Sequence, residues 1–494
     1  MNFEKFASLS RFDDELHAVR TAVEGSPAVK AERDKLLPNP STVTYGAGTE
    51  KAKQQSKRYE KYIQNAEFED YTNQTEQMMV GKLDLSKVSI EVPNQIDYLK
   101  VDSDGDKLSL AVGMLGDAVK NVLEAKWHIV LADYSGLPDL DIGKLSIDDV
   151  KNIKKVARVK FKQYSRESLI KYNTSTINGI HQVDFMMFKE HGYVFNKESG
   201  ARESVTSYLV LGLDDDGNYY QEKHTEKAGE ETSSTNRNYI KVGSESLKYI
   251  PFYVFSDEEL GCGDFPQELG FLSKIANLCL HRYRQNADFK DYMSGLPPTD
   301  YVSVKDLDME VFEKINGRRV IAKGEANIFA TDSLSVTTSS SANGLESWFR
   351  YFEDTKETLK SYGAFMPDDG NEETATKARI NAAQQNSVLI PIVDNLVEGV
   401  EMLMFYAGVF EGVWKQDDFE SAKDKISVAI NSEFDNTSLT GQEMLQLVNS
   451  QALAVSSNLT TQKMAIGKLY ESGVYPSDMS LEEAEAELNA SIEG

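Results

Sequence analysis

Between Ser341 and Phe410 the chain carries two long helical patterns separated by a short acidic break, and a proline sits inside the second. Large apolar residues recur at three- and four-residue steps from Leu345 through Trp348, Phe349, Phe352 and Leu359 to Tyr362, the spacing of one buried helix face. Glu346, Arg350, Glu353, Glu357 and Lys360 fall on the other side. The pattern stops at Gly363, passes through Phe365, Met366, Pro367, Asp368, Asp369, Gly370 and Asn371, and restarts at Glu372-Glu373-Thr374, where acids suit a helix N-terminus. The second pattern puts Ala378, Ala382, Leu389, Ile392, Val393, Leu396, Val400 and Leu403 on its apolar side. Pro391 must kink this rod or end it, because its ring removes an N–H and clashes with the preceding turn. Two rods with a tight loop between them suit the lining of something better than they suit catalysis.

The 494 residues leave room for two to four subdomains with ample apolar material to bury. A net charge of −26 repels a polyanion, which disfavours a protein that grips DNA by neutralising phosphates and leaves open one that surrounds DNA without holding it. Two cysteines, Cys262 and Cys279, make no disulfide framework; both are expected in the core of a protein from a reducing compartment. No basic-then-apolar leader opens the chain, and the most hydrophobic stretch, Val388 to Val413, is broken by Pro391, Asp394, Glu398 and Glu401. A soluble protein made in the cytoplasm, with no membrane contact, is the expectation.

The periodicity predicts an α+β fold, mostly helical. Short helices precede Asn39, and helices with aromatic inner faces (Tyr59, Tyr62, Ile63, Ala66, Phe68, Tyr71) run from Lys51 to Met79, with Gly81 as the stop. Another helix spans Lys107 to Ala125, followed by a strand at Trp127 to Asp133. Strands are expected at Val156–Tyr164, Gln182–Lys189, Ser207–Leu213 and Tyr219–His224, the last two joined by a turn at Asp214-Asp215-Asp216-Gly217-Asn218. A helix from Phe265 to Met293 precedes short strands at Tyr301–Val304, Arg318–Ala322 and Asn327–Ala330 in a compact insert. A strand at Lys425–Ile430 follows the rods, and everything from Leu439 onward reads as helical.

Asp102, Asp104 and Asp106 invite a calcium reading, but an EF-hand loop needs glycine at its sixth position and glutamate at its twelfth, where Lys107 and Gly113 stand. A solvated turn is the better account. His17, His128, His181, His191, His224 and His281 lack metal-ligand spacing. No nucleophile elbow, phosphate-cradling loop or dinucleotide fingerprint occurs, so neither an enzyme nor a cofactor is indicated. Arg318, Arg319 and Lys323 form a small basic patch, equally compatible with plain surface charge and with contact to an acidic partner.

Several weak patterns in a fixed order complete the reading: Arg58-Tyr59-Glu60-Lys61-Tyr62 through Phe68, Tyr71, Thr75 and Gly81; Asp104 to Ser109 leading to His128 through Tyr134; Leu278 through Phe289; and Glu373 to Arg379. With them the chain resembles the portal proteins of tailed bacteriophages over nearly its whole length. The resemblance implies a wing at 1–265, a first stem helix at 266–294, a clip at 295–340 and a second stem helix at 341–364. A tunnel loop at 365–373, a kinked tunnel helix at 374–415, a returning wing strand at 416–436 and a helical crown at 437–494 would follow. It further implies a ring of about twelve subunits at one capsid vertex of the virion, passing double-stranded DNA. Partners would be the terminase large subunit, a head-tail adaptor and the capsid or scaffold protein. On that reading Met366, Asp368, Asp369, Asn371 and Glu372 face the bore from the loop. Arg350, Lys356 and Lys360 face either the bore or the neighbouring subunit, Arg318, Arg319 and Lys323 dock partners, and Pro391 lets the tunnel helix bend. Two other readings stay open: a metal-dependent phosphodiesterase built on Asp102–Asp106 and Asp214–Asp216, and another ring-forming tail or connector component.

Overall fold

Among the described residues four α-helices come first: α1 (Asp13–Glu24), α2 (Ser26–Ala31), α3 (Glu50–Asn65) and α4 (Tyr71–Lys82). The structure is a computed structural model that describes residues 13–41, 48–134, 158–177, 179–195, 202–226, 233–234, 237–295, 309–316, 345–365 and 375–430. Helix α3 starts at Thr49, whose hydroxyl accepts from the Ala52 N–H at 3.2 Å, and it turns Tyr59, Tyr62 and Ile63 inward as their spacing predicts. Helix α4 passes through Gly81, the expected stop, and ends at Lys82.

The helix expected over Lys107–Ala125 is shorter and preceded by two other motifs. Asp104 accepts from the N–H groups of Asp106 and Leu108, and Asp102 from that of Lys107, which ties residues 102–108 into a turn with Gly105 and Lys107 at positive φ. A π-helical turn, Leu110–Leu115, follows, with the Ser109 hydroxyl accepting from Gly113. Only then does α5 (Gly116–Ala125) begin.

The strands are β1 (Ser89–Glu91), β2 (Trp127–Tyr134), β3 (Val159–Tyr164), β4 (Leu169–Ile177), β5 (Ile180–Phe195), β6 (Arg202–Leu213) and β7 (Tyr219–Glu226). They continue with β8 (Ser233–Ser234), β9 (Asn238–Tyr239), β10 (Lys241–Val242), β11 (Glu245–Ser246), β12 (Phe252–Ser256) and β13 (Ser427–Ala429). An antiparallel sheet in the order β12-β2-β3 has β2 at its centre, buried from Trp127 to Asp133, which is why Ile129 to Ala132 reads as an unbroken apolar run. A larger antiparallel sheet runs β4-β5-β6-β7-β8 with β9 also on β7. The β6–β7 turn falls at Asp214–Asn218 as expected: Asp214 accepts from the N–H groups of Asp216 and Asn218. Strands β1, β4 and β8 to β12 escaped the sequence reading; β4, with Lys171, Asn173, Thr174, Ser175 and Thr176, lacks an apolar alternation. Far from its sequence neighbours, β13 pairs with β1, Ile90 opposite Val428.

The remaining helices are α6 (Leu272–Gly295), α7 (Met309–Asn316), α8 (Leu345–Ser361), α9 (Ala375–Phe410) and α10 (Phe419–Lys423). Helix α6 starts later than Phe265 because the chain first runs across the end of α5. There Gly270 donates to the Glu124 carbonyl, and a Cβ at Gly270 would lie 2.2 Å from the Leu123 carbonyl oxygen. Arg166 holds that crossing by donating to the carbonyls of Ala125, Gln267 and Glu268. Helix α9, 36 residues or roughly 54 Å long, contains Pro391, which does not end it. Its apolar side lies over β12 and β2: Leu389, Ile392, Val393, Leu396, Val400 and Leu403 are all buried, and Gly399 admits the rings of Phe255 and Tyr253 where a Cβ would collide. Cys279 is buried as expected, but Cys262 is exposed, because it lies in the Gly261–Gly263 loop rather than in an element.

Of the strands expected in the insert, those at 301–304, 318–322 and 327–330 lie outside the described residues, as does the C-terminal segment from Leu439. No helix among the described residues is long and apolar enough to cross a membrane.

Candidate functional site: the paired rods and the base of their loop

Helix α6 is held from the N-terminal side by polar groups set on an apolar face. Leu272, Ile275, Ala276, Cys279, Leu280, Tyr283 and Ala287 are buried, and burial pushes the Cys279 thiol up to about 12. Tyr62 of α3 donates to Asp288 at 2.6 Å, Arg58 pairs with Asp291 at 2.7 Å, and Arg284 donates to the Leu36 carbonyl at 2.8 Å.

Helix α8 then lies against α6 in the opposite sense. Near the middle of α6, Arg282 donates to the Phe352 carbonyl at 2.6 Å and to Thr355 Oγ1 at 2.5 Å, while further along Phe289 meets Trp348 and Phe352 with ring centroids 5.7 and 5.9 Å apart. The buried Arg282 guanidinium also pairs with Glu69 Oε2 at 2.6 Å and covers the Phe352 ring at 5.4 Å. One side chain thus ties three segments together. His281 Nδ1 and the Tyr351 hydroxyl add a 2.6 Å hydrogen bond.

Where α8 ends, the chain is clamped at Gly363 and Phe365. Gly363 takes φ 81°, the Gln385 amide of α9 donates to its carbonyl at 2.8 Å, and the Phe365 N–H donates to Thr75 Oγ1 of α4 at 2.9 Å. Lys82 of α4 donates to Gln385 Oε1 at 2.8 Å, and desolvation lowers its pKa. Gln385 is buried and lies ten positions into α9, so that helix begins roughly 15 Å before the clamp. The end of α8 is therefore pinned between α4 and the side of α9.

The clamp backs onto a buried acid pair. Glu76, next to Thr75, and Glu124 of α5 are both buried, and the Oε1 of Glu76 has no hydrogen-bond partner among the described residues. Burial and the neighbouring Glu124 push Glu76 up to about 8, and burial raises Glu124 despite Arg20, which lies 3.6 Å away and also pairs with Glu167. The pair thus favours keeping a proton between its two carboxyls.

Of the residues singled out in the sequence, Arg350, Lys356 and Lys360 are all on α8 but not on one face. Lys356 and Lys360 stand one turn apart and are half-buried, while Arg350 is exposed and about 100° around the helix from them. Pro391 is exposed and borders a groove of about 490 Å³ shared with Tyr362 and Lys274. Met366, Asp368, Asp369, Asn371, Glu372, Arg318, Arg319 and Lys323 lie outside the described residues. The expected single buried face of α8 holds only in part: Leu359 is buried and Trp348 and Phe352 are half-buried, but Phe349 is 59% and Tyr362 41% exposed. Helix α6 covers one side of α8, and Phe349 and Tyr362 stay exposed.

Sequence reasoning missed the parts Arg282, Gln385 and Thr75 play. Their signal is a polar or charged residue on an otherwise apolar helix face, as with Arg282 between Cys279, Leu280 and Tyr283. The carboxylates of Asp102, Asp104 and Asp214 accept backbone N–H groups, and among the described residues no three His, Cys, Asp or Glu side chains converge as a metal would require. His128 is buried against Gln163 at 3.1 Å, and desolvation pushes its pKa down to about 4, so it is a neutral core imidazole.

No family model matches the sequence, and no curated protein matches it. Among solved structures, the neck of an empty GTA particle computed with C6 symmetry is similar over 82% of this chain and 90% of that chain, at 8% identity and a TM-score of 0.37. A likeness that loose decides nothing about this chain.

Proposed function

We propose that the chain is a structural subunit of a ring at a bacteriophage head-tail junction, and within that class a portal protein through which double-stranded DNA enters and leaves the capsid. One observation carries this reading: α6 and α8 stand side by side in opposite senses with residues 296–344 between them in sequence, α8 ends at a clamp on Gly363 and Phe365 before α9, and β13 then returns to pair with β1. A hairpin of rods followed by an anchored loop and a long helix is what a wall around a passage needs. Catalysis needs converging reactive groups instead, and we read the protein as no enzyme.

The charge supports passage more than grip. Twelve copies at −26 each would carry roughly −300, a field that keeps phosphate from adhering, with Arg350, Lys356 and Lys360 too few and too dispersed to hold it. On this reading Met366 to Glu372 face the bore, Pro391 lets α9 flex behind them, and Arg318, Arg319 and Lys323 meet a terminase or an adaptor. Native mass measurement and negative-stain imaging of the purified chain test it. Rings of about a dozen copies with an axial hole are expected, and a monomer, or an assembly without a hole, would end the proposal. Replacing 366–373 by a short Gly-Ser linker should then spare the ring and impair genome packaging or retention.

A further inference from the structure

Helix α3 is a basic island in an acidic chain. It carries Lys51, Lys53, Lys57, Arg58 and Lys61 against Glu50 and Glu60. Because Tyr59, Tyr62 and Ile63 face inward, all five cations are exposed, and Lys53, Lys57 and Lys61 follow one another at four-residue steps along the outer face. Lys53 pairs with Glu50 at 2.8 Å and Arg58 with Asp291, but Lys57 and Lys61 form no ion pair among the described residues.

The opposite character appears before the start of α6. Residues 257–268 include Asp257, Glu258, Glu259, Asp264 and Glu268 and no lysine or arginine. Lys126 offsets Asp257 and Glu258 at 3.0 and 3.4 Å. Glu259 and Asp264 instead border, together with Glu398 of α9, a pocket of about 360 Å³ walled by Tyr253, Phe265 and Tyr406. The hydroxyl of Tyr249, also in its wall, is buried with no hydrogen-bond partner among the described residues. No lysine or arginine is among the described residues that line it. Carboxylates set on aromatic walls, with a spare oxygen, are the surroundings a cationic side chain prefers.

One copy does not bring the two together. Helix α3 docks through Tyr62 and Arg58 on Asp288 and Asp291, sixteen to nineteen residues along α6 from Leu272, roughly 24 to 28 Å from the end where the acidic segment enters. Two unlike, complementary patches at opposite ends of one helix are what a head-to-tail contact requires, and such contacts form rings where the rotation between copies closes. We propose that the pocket bounded by Glu259, Asp264 and Glu398 receives a lysine from the outer face of α3 of a second copy, in a heterologous contact steered by charge. This deepens the ring reading above and rests on it.

Reciprocal charge reversal tests it. One variant carries Lys57→Glu and Lys61→Glu; a second carries Glu259→Lys and Glu398→Lys; circular dichroism and melting confirm that each is folded. Native mass spectrometry should show each variant alone with at least tenfold less ring than the wild type, because like charges then meet at every contact. Mixed one to one, the two should restore rings, since each variant's α3 then matches the other's pocket. Rings formed by either variant alone, or no rescue on mixing, would overturn the proposal while leaving the ring reading in place. A wild-type chain that never assembles would overturn both. A further measurement needs no variant: wild-type rings should dissociate more readily as salt is raised from 0.1 to 0.5 M, by about tenfold, and salt-independent rings would count against the contact. If Lys57→Glu with Lys61→Glu leaves rings intact but abolishes binding of a duplex oligonucleotide, the α3 face serves nucleic acid and the proposal falls.

Discussion

Helices α8 and α9 carry the same kind of apolar stripe and meet different fates. Every named stripe residue of α9 from Leu389 to Leu403 is buried against β12 and β2, whereas α8 buries Leu359 fully and leaves Phe349 and Tyr362 in the open. The difference lies in what each helix rests on. Helix α9 has a whole sheet beneath it, and Gly399 brings the two close enough for Phe255 to touch its backbone. Helix α8 packs chiefly on α6, through the polar grip of Arg282 and the rings around Phe289, and meets α4 and α9 only where it ends. A stripe shows which side of a helix is apolar; only the assembled structure shows whether the chain itself covers it.

That contrast can be broken at its strong end first. Leu403→Ala in α9 should cost about 3 kcal/mol in denaturant unfolding, the range for a fully buried leucine truncated without collapse of the cavity. A loss under about 0.5 kcal/mol would mean that α9 is not seated as described. Arg282→Ala should cost about 2 kcal/mol, less than a fully buried pair because Glu69 is partly exposed, and leaves the Thr355 hydroxyl and Phe352 carbonyl without their donor. Amide exchange should then speed up in α8 and not in α9; equal acceleration in both would erase the distinction drawn between them.

The joint between the rods hangs on α4 and adds a pH test. Glu76 binds its proton more tightly folded than unfolded, so folding takes up a proton. Its contribution is fully present below about pH 4.5 and is lost as pH rises to about 8, so the wild type should melt progressively lower across that window. Glu76→Gln, a fixed neutral isostere, should flatten the decline, and an unchanged slope would show that the acid pair is ionised in the fold. The smallest effect belongs to the open face: Phe349→Ala should change the stability of the isolated chain by less than about 0.5 kcal/mol and reveal itself, if at all, in assembly.

Much of the fold was legible because it obeys period. The β2 run, the inward aromatics of α3, the Asp214–Asn218 turn and the α9 stripe follow from residue spacing alone. Strand β4 was not, since Lys171, Asn173 and Thr176 form a strand only because β5 offers them a ladder. The expected helix over 107–125 loses its start to a turn that Asp102 and Asp104 hold through the N–H groups of Asp106, Lys107 and Leu108, in which Lys107 takes φ 70°, outside any right-handed helix. The candidate site divides the same way. Rods and loop were visible as an apolar period and its interruption at Gly363, but the clamp made by Thr75, Gly363 and Gln385 joins positions up to 310 residues apart.

By itself, then, the order of residues settled where most helices and strands run, which sides of them are apolar, and that the chain is strongly acidic, because these depend on neighbours a few positions away. Which stripe is covered, that β13 returns to β1, and that Arg282 and Gln385 hold the rods and their loop were decided only in the tertiary structure. Those outcomes depend on pairings between distant segments, and no local pattern encodes the partner.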